Sequence, residues 1–257
     1  MLTEKHKAIL LVDPYRNSAT HVWKGCHNYK GLRIHAIDGL HDFAAEKIVG
    51  ALGPGAAVLD LGAGSGAMSA RLADLGFAVT AMDVVPENFR LHDSVPFITA
   101  NLNDAFADRI DTAPEGIIAL EILEHLENPR HFVRECYRAL KPGGYLLLST
   151  PNVDSPVSKS LFIRYGRFKY FDDDNYIGDG HILPISQWLL KKALSEAGFA
   201  VRWLGTFGDP YKGMKWFSRT RLLALLVAAL SPEEPKRLAG EILVLLAQKT
   251  SDSDSEP

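Results

Sequence analysis

Cysteine is scarce in this sequence. Only two cysteines, Cys26 and Cys136, occur in 257 residues, and their wide separation does not suggest a disulfide framework. The histidines near Cys26 lack the spacing of a zinc site. The N-terminus also lacks the apolar core of a signal peptide. These features predict a protein of the reducing cytoplasm.

Long hydrophobic runs and an excess of positive charge are absent as well. The longest apolar candidate, Leu222 to Leu230, is about half of the roughly 18 to 20 residues that cross a bilayer. The formal net charge is -3, whereas a surface that neutralises phosphates usually shows a basic balance. We therefore expect neither a membrane span nor a nucleic-acid substrate.

The chain has enough apolar sequence for one sizeable core, since 47% of its residues are hydrophobic. Strand-like runs alternate with helical patterns, and this alternation predicts a parallel sheet with right-handed crossovers. The strand-like runs are Ala56 to Leu61, Ala78 to Asp83, Pro96 to Ala100, Gly116 to Leu120, Tyr145 to Ser149, Phe199 to Leu204 and Glu241 to Gln248. The helical patterns are His35 to Leu52, Gly66 to Leu75, Asn88 to Asp93, Pro129 to Leu140 and Ser186 to Ala197.

A glycine-rich loop follows the first of these strands. Glycines 62, 64 and 66 alternate after Asp60, and glycine tolerates the left-handed backbone and close ligand approach that a strand-to-helix turn needs. The spacing overlaps the dinucleotide motif, with Ala67 last. A carboxylate at Asp60 is unfavourable beside a pyrophosphate, however, and it suits a ligand that carries an ammonium group.

Further motifs follow the later strands. Asp83 ends the second strand, 17 residues after Gly66, and Glu121 opens the run Glu-Ile-Leu-Glu-His-Leu after the fourth. Lys-Pro-Gly-Gly ends at Gly144, and Thr150-Pro-Asn follows the fifth strand. In open α/β sheets, ligands bind at the carboxyl ends of the strands. These segments therefore predict one binding site.

Together the motifs resemble those of class I S-adenosylmethionine-dependent methyltransferases. The Glu-x-x-Glu-His-Leu run is similar to that of a subgroup with ubiquinone-biosynthesis, glycan and small-molecule O-methyltransferases. The resemblance covers residues 36–205 and 241–249. It implies an α/β fold with a Rossmann-like seven-stranded sheet, mostly parallel with an antiparallel last strand, with helices on both faces and inserted lid segments.

The resemblance also implies the cofactor, S-adenosyl-L-methionine, and its product, S-adenosyl-L-homocysteine. Asp83 is expected to accept both ribose hydroxyls. Asn101 stands where relatives commonly have an aspartate that contacts the adenine amino group, and its amide oxygen can still accept from that group. The predicted cofactor-binding residues are Asp60, Gly62, Ala63, Gly64, Gly66, Asp83, Val84, Asn101, Leu102 and Glu121.

Methyl transfer to a hydroxyl needs a base, and histidine is suited to this role near neutral pH. His181, in a loop after the fifth strand, and His125 are the predicted catalytic residues. His125 could instead begin a helix, or bind a divalent metal together with Glu121 and Glu124. We predict no metal.

The acceptor is expected to contact residues outside the common core. Arg164 and Arg167 lie in an aromatic and basic stretch of the insertion 152–184, and Arg side chains can hold phosphate or carboxylate groups. The alternative for this stretch is a surface hairpin. His41, in the helix before the first strand, is the third predicted substrate-binding residue.

The predicted organisation is an N-terminal cap segment (1–34), a methyltransferase domain (35–250) with insertions at 152–184 and 206–240, and a disordered tail (251–257). The helix of 215–230 is apolar on nearly all faces, so it must be buried in the lid, in a homodimer, or at a membrane surface as a peripheral contact.

The predicted function is O-methylation of a small-molecule, saccharide or glycoconjugate acceptor by in-line methyl transfer. A quinone or phenol acceptor and N-methylation are the alternatives within this class. A nicotinamide-dependent oxidoreductase and a non-catalytic cofactor-binding protein are the alternatives from other classes.

Overall fold

The computed structural model describes residues 27–231 and 238–250 of the chain. The predicted cap segment up to residue 26, and the predicted tail, lie outside these ranges. The strands are β1 (Asn28–Tyr29), β2 (Leu32–Arg33), β3 (Ala57–Leu61), β4 (Ala78–Asp83), β5 (Phe97–Thr99), β6 (Gly116–Ala119), β7 (Tyr145–Pro151), β8 (Phe199–Phe207) and β9 (Ile242–Lys249). The α-helices are α1 (Leu40–Val49), α2 (Ala67–Asp74), α3 (Pro129–Ala139), α4 (Pro156–Tyr165), α5 (Gln187–Ala197) and α6 (Arg219–Leu230).

Strands β3 to β9 form one seven-stranded sheet in the order β5-β4-β3-β6-β7-β9-β8. Its first five strands run parallel, whereas β9 lies antiparallel between β7 and β8. The predicted fold is therefore confirmed. The strand order reverses between β3 and β6, and this is where ligands bind in such sheets.

Successive residues of the central strands supply two separate cores, because side chains alternate between the faces of a sheet. In β6, Ile117 packs into the core beneath α3 and α5, and Ile118 packs into the core beneath α1 and α2. Leu146 and Leu147 of β7 divide in the same way. Burial on both faces explains why these strands are continuously apolar.

Two predicted helices differ from the structure. Helix α1 begins at Leu40 and not at the predicted His35, because Gly39 before it has a left-handed backbone with a φ of +81°. The stretch Asn88 to Asp93 is not helical: a 3₁₀ turn over Pro86–Asn88 is followed by extended backbone at Phe89. Tertiary packing explains the second difference, since the Phe89 ring is buried and lies 4.7 Å from that of Phe97.

The insertions contain helices in place of the alternative surface hairpin. Helix α4 begins after Ser155, whose hydroxyl accepts a hydrogen bond from the Ser158 N–H at 3.2 Å. Helix α6 packs against α4, and Arg164 donates a hydrogen bond to the Thr220 hydroxyl. Only Thr220 and Ala224 of α6 are buried, so the packing against α4 covers one side of this helix. No helix in the described ranges is long and apolar enough to cross a membrane.

Asn152 fixes the antiparallel strand to its neighbour. This buried side chain follows β7, and its amide nitrogen donates to the carbonyl oxygens of Leu238 and Gly240, both at 2.8 Å. Its amide oxygen accepts from the Asp154 N–H at 3.1 Å. The residues that lead into β9 are thereby held at the end of β7.

We expect Asn152→Ala to lower the free energy of unfolding by about 2 kcal/mol, because a buried and a half-buried carbonyl lose their donor. Asn152→Asp is the matched variant, since it keeps the shape but turns an oxygen toward both carbonyls, and we expect it to destabilise the fold more. Urea unfolding followed by circular dichroism measures both. Equal stability of Asn152→Asp and the wild type would contradict this role for the amide.

Candidate active site

A cavity of about 430 Å³ opens at the carboxyl ends of β3, β4 and β6. Asp60, Asp83 and Glu121 line its floor, and helix α1 and the insertion that follows β7 contribute to its walls. A smaller hollow of about 50 Å³ shares several of these lining residues. The two spaces adjoin at the switch point of the sheet, where they share Gly62 and Asp83.

The glycine loop shapes the floor of this site. Gly62, Gly64 and Gly66 all have φ in the left-handed region, at +71°, +51° and +91°. A Cβ atom at Gly62 would lie 2.2 Å from the Ile122 side chain, whereas at Gly64 the nearest atom, of His35, is 3.8 Å away. Gly62 is thus required by packing, and Gly64 leaves open space for a ligand.

The predicted cofactor residues are brought together, with one exception. Asp60, Gly62, Ala63, Gly64, Asp83 and Glu121 line the larger cavity. Val84, Asn101 and Leu102 line the smaller hollow, where Asn101 is exposed. Gly66 lines neither space and is instead the N-cap residue of α2. The division matches a ligand with an amino-acid part and a ring part, and the individual roles stay predictions.

Asp60 is a buried carboxyl group whose hydrogen-bond donor is neutral. Its side chain accepts a hydrogen bond from the Ser69 hydroxyl at 2.6 Å. Burial, with a smaller contribution from the charge of Asp83, raises the pKa of Asp60 to about 7. A cationic ligand group beside Asp60 would favour its charged form.

Asp83 and Glu121 are held in a comparable way. Asp83 accepts from the backbone N–H groups of Gly64 at 2.8 Å and Val85 at 2.9 Å, and burial raises its pKa. Glu121 has a φ of +52° and accepts from the Ser149 hydroxyl at 2.7 Å. Burial raises the pKa of Glu121 to about 7. The site therefore favours a ligand that is positively charged.

The two predicted catalytic histidines pack edge to face in the wall of the cavity, with ring centroids 4.9 Å apart. Nδ1 of His181 donates to the Tyr170 carbonyl at 2.8 Å, and Nδ1 of His125 donates to the Gly180 carbonyl at 3.0 Å. A carbonyl can only accept, so these bonds place a proton on each Nδ1. Burial lowers the pKa of His181, and it lowers that of His125 to about 3, so both rings are neutral at pH 7.

A metal ion could also be held here. Glu124, His125 and His181 each offer one ligand atom, and these atoms lie within 4.8 Å of one another. Two imidazoles and a carboxylate suit a transition metal better than Mg²⁺. Burial, followed by the charge of Glu121, raises the pKa of Glu124 well above its usual range, and metal ligation requires the deprotonated carboxylate. The expectation of no metal stays a prediction.

Of the three predicted substrate-binding residues, one lines the cavity and two lie outside its lining. His41 lines the cavity, where its buried Nδ1 has no hydrogen-bond partner among the described residues, and burial lowers its pKa to about 4. Arg164 and Arg167 do not line the cavity. Arg164 instead donates to Thr220, and Arg167 is exposed. The structure does not bring these two arginines to the site.

Three residues near the site went unassigned in the sequence. Ser149 orients Glu121, and Tyr170 lines the cavity while its carbonyl accepts from His181. Glu241 accepts from the Tyr170 hydroxyl and from Lys169 Nζ, the latter at 2.5 Å. Only Tyr170 had a signal in the sequence, as an aromatic residue within a basic stretch of the insertion.

A family model described as a methyltransferase domain matches residues 29–203 of the chain. The ubiquinone biosynthesis O-methyltransferase of Xanthomonas campestris pv. campestris is 38% identical over 128 residues, 46% of this chain and 52% of its own length. That of Cupriavidus pinatubonensis is 28% identical over 154 residues, 55% of this chain and 58% of its own length. The chain thus spans about half the length of the curated relatives it matches.

Solved structures have the same fold. A SAM-dependent methyltransferase from Archaeoglobus fulgidus superposes with a TM-score of 0.58 at 20% identity, covering 82% of this chain and 93% of its own. An S-adenosylmethionine-dependent methyltransferase from Mesorhizobium loti gives 0.53 at 15% identity, with 83% and 100% covered. At these identities the likeness concerns the fold alone.

We expect the affinity for S-adenosylhomocysteine, the product of the predicted cofactor, to depend on the charge of Asp60. Because the pKa of Asp60 in the free protein is about 7, and because its carboxylate form would hold the ammonium group, affinity should fall by up to about tenfold per pH unit below pH 7. Isothermal titration calorimetry at a series of pH values measures this dependence.

Two variants separate Asp60 from its neighbours. Asp60→Asn should bind more weakly at high pH and lose the part of the pH dependence that Asp60 contributes, while Glu121, whose pKa is also about 7, keeps its own part. Asp83→Asn should also bind more weakly but keep the pH dependence of the wild type. An unchanged slope in Asp60→Asn would contradict the role of Asp60.

Proposed function

The chain belongs to the methyltransferase-domain family, and from that premise we propose that it transfers a methyl group from S-adenosylmethionine to a hydroxyl oxygen of a small acceptor. One observation carries the choice of oxygen. The Tyr170 carbonyl holds the proton of His181 on Nδ1, which leaves Nε2 as the accepting nitrogen of a neutral imidazole in the cavity wall. A hydroxyl acceptor needs such a base, because it must lose its proton during transfer.

The floor of the site fits the methyl donor. Asp60 would hold the ammonium group and Asp83 the ribose hydroxyls, while Asn101 and Leu102 would contact the adenine ring. When bound, S-adenosylmethionine supplies an electrophilic methyl carbon on a sulfonium. Because such a transfer is an in-line displacement, the protein contributes chiefly alignment and a base. The buried carboxyls near the loop argue against the pyrophosphate of a nicotinamide cofactor.

The proton path uses groups that are already oriented. In the proposed step, the acceptor hydroxyl gives its proton to Nε2 of His181. The imidazolium that results keeps its Nδ1–H bond to the Tyr170 carbonyl, which stabilises the positive charge. Glu241 positions Tyr170, because it accepts from the Tyr170 hydroxyl. His125 packs against the His181 ring and restricts its rotation.

A saccharide or glycoconjugate is the proposed acceptor class. Its support is the mixed lining of the cavity, in which neutral imidazoles and Tyr170 offer hydrogen bonds and a stacking surface for a hydroxylated ring. A phenol or quinol is the second candidate, and the names of the curated relatives favour it. Both classes present a hydroxyl to the same base.

We expect His181→Gln to lower kcat at neutral pH by about 10² to 10⁴-fold, the usual contribution of a general base. The affinity for S-adenosylhomocysteine should not change. The assay measures S-adenosylhomocysteine formation with a panel of saccharides and catechols between about pH 5 and pH 9. A methylated catechol with no methylated saccharide would assign the second acceptor class.

His92→Gln is the matched control, since His92 is an exposed histidine outside the cavity. Unchanged kcat in His181→Gln would contradict the proposed base. A stoichiometric metal that is present in the wild type and lost in His181→Gln, measured by mass spectrometry, would instead make His181 a ligand.

We expect a smaller loss in Glu241→Gln, about tenfold in kcat, because this variant weakens the hold on Tyr170 while leaving His181 in place. The affinity for S-adenosylhomocysteine should stay close to that of the wild type, whereas the melting temperature should fall, because this variant also breaks the ion pair with Lys169. Tyr170→Phe removes the other partner of the same hydrogen bond and should give a similar kcat. A change in cofactor affinity, with kcat unchanged, would contradict a positioning role for Glu241.

A further inference from the structure

Helix α6 exposes its apolar residues in one stripe. Leu222, Leu225, Leu226 and Leu230 are 52%, 50%, 54% and 77% exposed. Their spacing places them on one face, because residues three and four apart are neighbours on a helix. The buried residues, Thr220 and Ala224, lie on the side that packs toward α4. A surface helix normally has the opposite arrangement, with its apolar face toward the core.

Further large apolar side chains are exposed next to this stripe, just before α6 and in the last turn of α4. Trp216 and Phe217, just before α6, are 70% and 82% exposed. The last turn of α4 exposes Phe162, Ile163 and Tyr165. Single exposed apolar residues are ordinary, but a cluster of this size on neighbouring elements indicates an interaction site.

The same two segments carry charge of one sign. Residues 156–170 contain four basic residues and no acidic one, and residues 211–231 have the same count. The whole chain, in contrast, has a formal net charge of -3. Arg221 lies over the rings of Trp216 at 4.5 Å and Tyr211 at 5.0 Å, which keeps cationic and aromatic groups together. Basic and apolar groups are thus concentrated in one part of a slightly acidic chain.

We propose that residues 156–170 and 211–231, here called the basic helix pair, dock on an anionic lipid membrane. Leucine and aromatic side chains would enter the headgroup and acyl boundary. The exposed basic side chains Arg167, Lys212, Lys215 and Arg219 would contact anionic headgroups. Helix α6, with 12 residues, would lie in the plane of the interface. A second copy is a poorer partner for the basic helix pair, because a two-fold interface would bring the basic residues of both copies together.

This inference does not depend on the proposed reaction, but it affects how an acceptor would reach the cavity. The insertion that contains α4 also contains Tyr170 and His181, which line the cavity. Docking at α4 would therefore act on the same insertion that supplies this wall, and through it on the route by which an acceptor reaches the cavity.

Vesicle flotation of the full chain tests the proposal. We expect the wild type to float with vesicles that contain phosphatidylglycerol and to float much less with pure phosphatidylcholine. Raised salt should weaken binding, because it screens the headgroup attraction. No flotation with phosphatidylglycerol, or equal flotation with both vesicles, would overturn the proposal.

Variants in the exposed stripe identify the surface without disturbing the core. The double variant Leu226→Glu with Leu230→Glu should lower the vesicle partition coefficient by on the order of a hundredfold, because each change removes an apolar contact and adds a negative charge. Lys212→Glu with Lys215→Glu should lower it by on the order of tenfold. Leu75→Glu, at an exposed leucine after α2, is the control and should bind like the wild type.

Two further measurements show whether a loss of vesicle binding comes from unfolding or from a change in self-association. Unchanged S-adenosylhomocysteine affinity and melting temperature in the variants would show that the fold is intact. Size-exclusion chromatography with light scattering would detect a dimer. A wild-type dimer that Leu226→Glu with Leu230→Glu converts to a monomer, without vesicle binding by either, would assign the stripe to self-association and overturn the membrane proposal.

Discussion

Three carboxyl groups at the ends of neighbouring parallel strands, one buried and two half-buried, are the constraint on which the rest of the site depends. Asp60, Asp83 and Glu121 are held by neutral donors, two serine hydroxyls and backbone N–H groups. Burial of a carboxylate without a cation is unfavourable, so the pKa of each is raised. A cationic ligand relieves this cost, and the glycine loop leaves room for one beside the carboxyls.

The sheet explains how much of this site could be predicted from sequence. Asp60, Asp83 and Glu121 each follow an apolar run, and parallel strands bring such positions to one edge whatever the chain does between them. The local sequence pattern is therefore sufficient to predict the three carboxyl residues on the floor of the cavity. The local pattern wrongly predicted a helix at Asn88 to Asp93. There the Phe89 ring packs against Phe97, and the backbone at Phe89 is extended.

The cavity wall that contains Tyr170 and His181 depends on contacts between residues far apart in the sequence, which no local sequence pattern predicts. Tyr170 and Glu241 are 71 residues apart, yet their side chains meet and fix the carbonyl that orients His181. Arg164 is 56 residues from Thr220, and that hydrogen bond holds its guanidinium at α6, outside the lining of the cavity. Charge and aromatic content predicted that the insertion contacts the acceptor. The direction of its side chains, however, follows from Glu241, just before β9, and from Thr220 of α6.

The insertion after β7 contributes both to the cavity and to the basic helix pair. Its residues Tyr170 and His181 line the cavity, and its helix α4 forms half of the pair. Since eight basic residues lie in that pair while the chain has a net charge of -3, the remainder has an acidic excess. Screening limits electrostatic attraction to about 8 to 10 Å at physiological salt. An anionic surface would therefore attract only the basic side and repel the rest. The charge distribution therefore orients the molecule, with the basic helix pair toward the bilayer, before any leucine enters the interface.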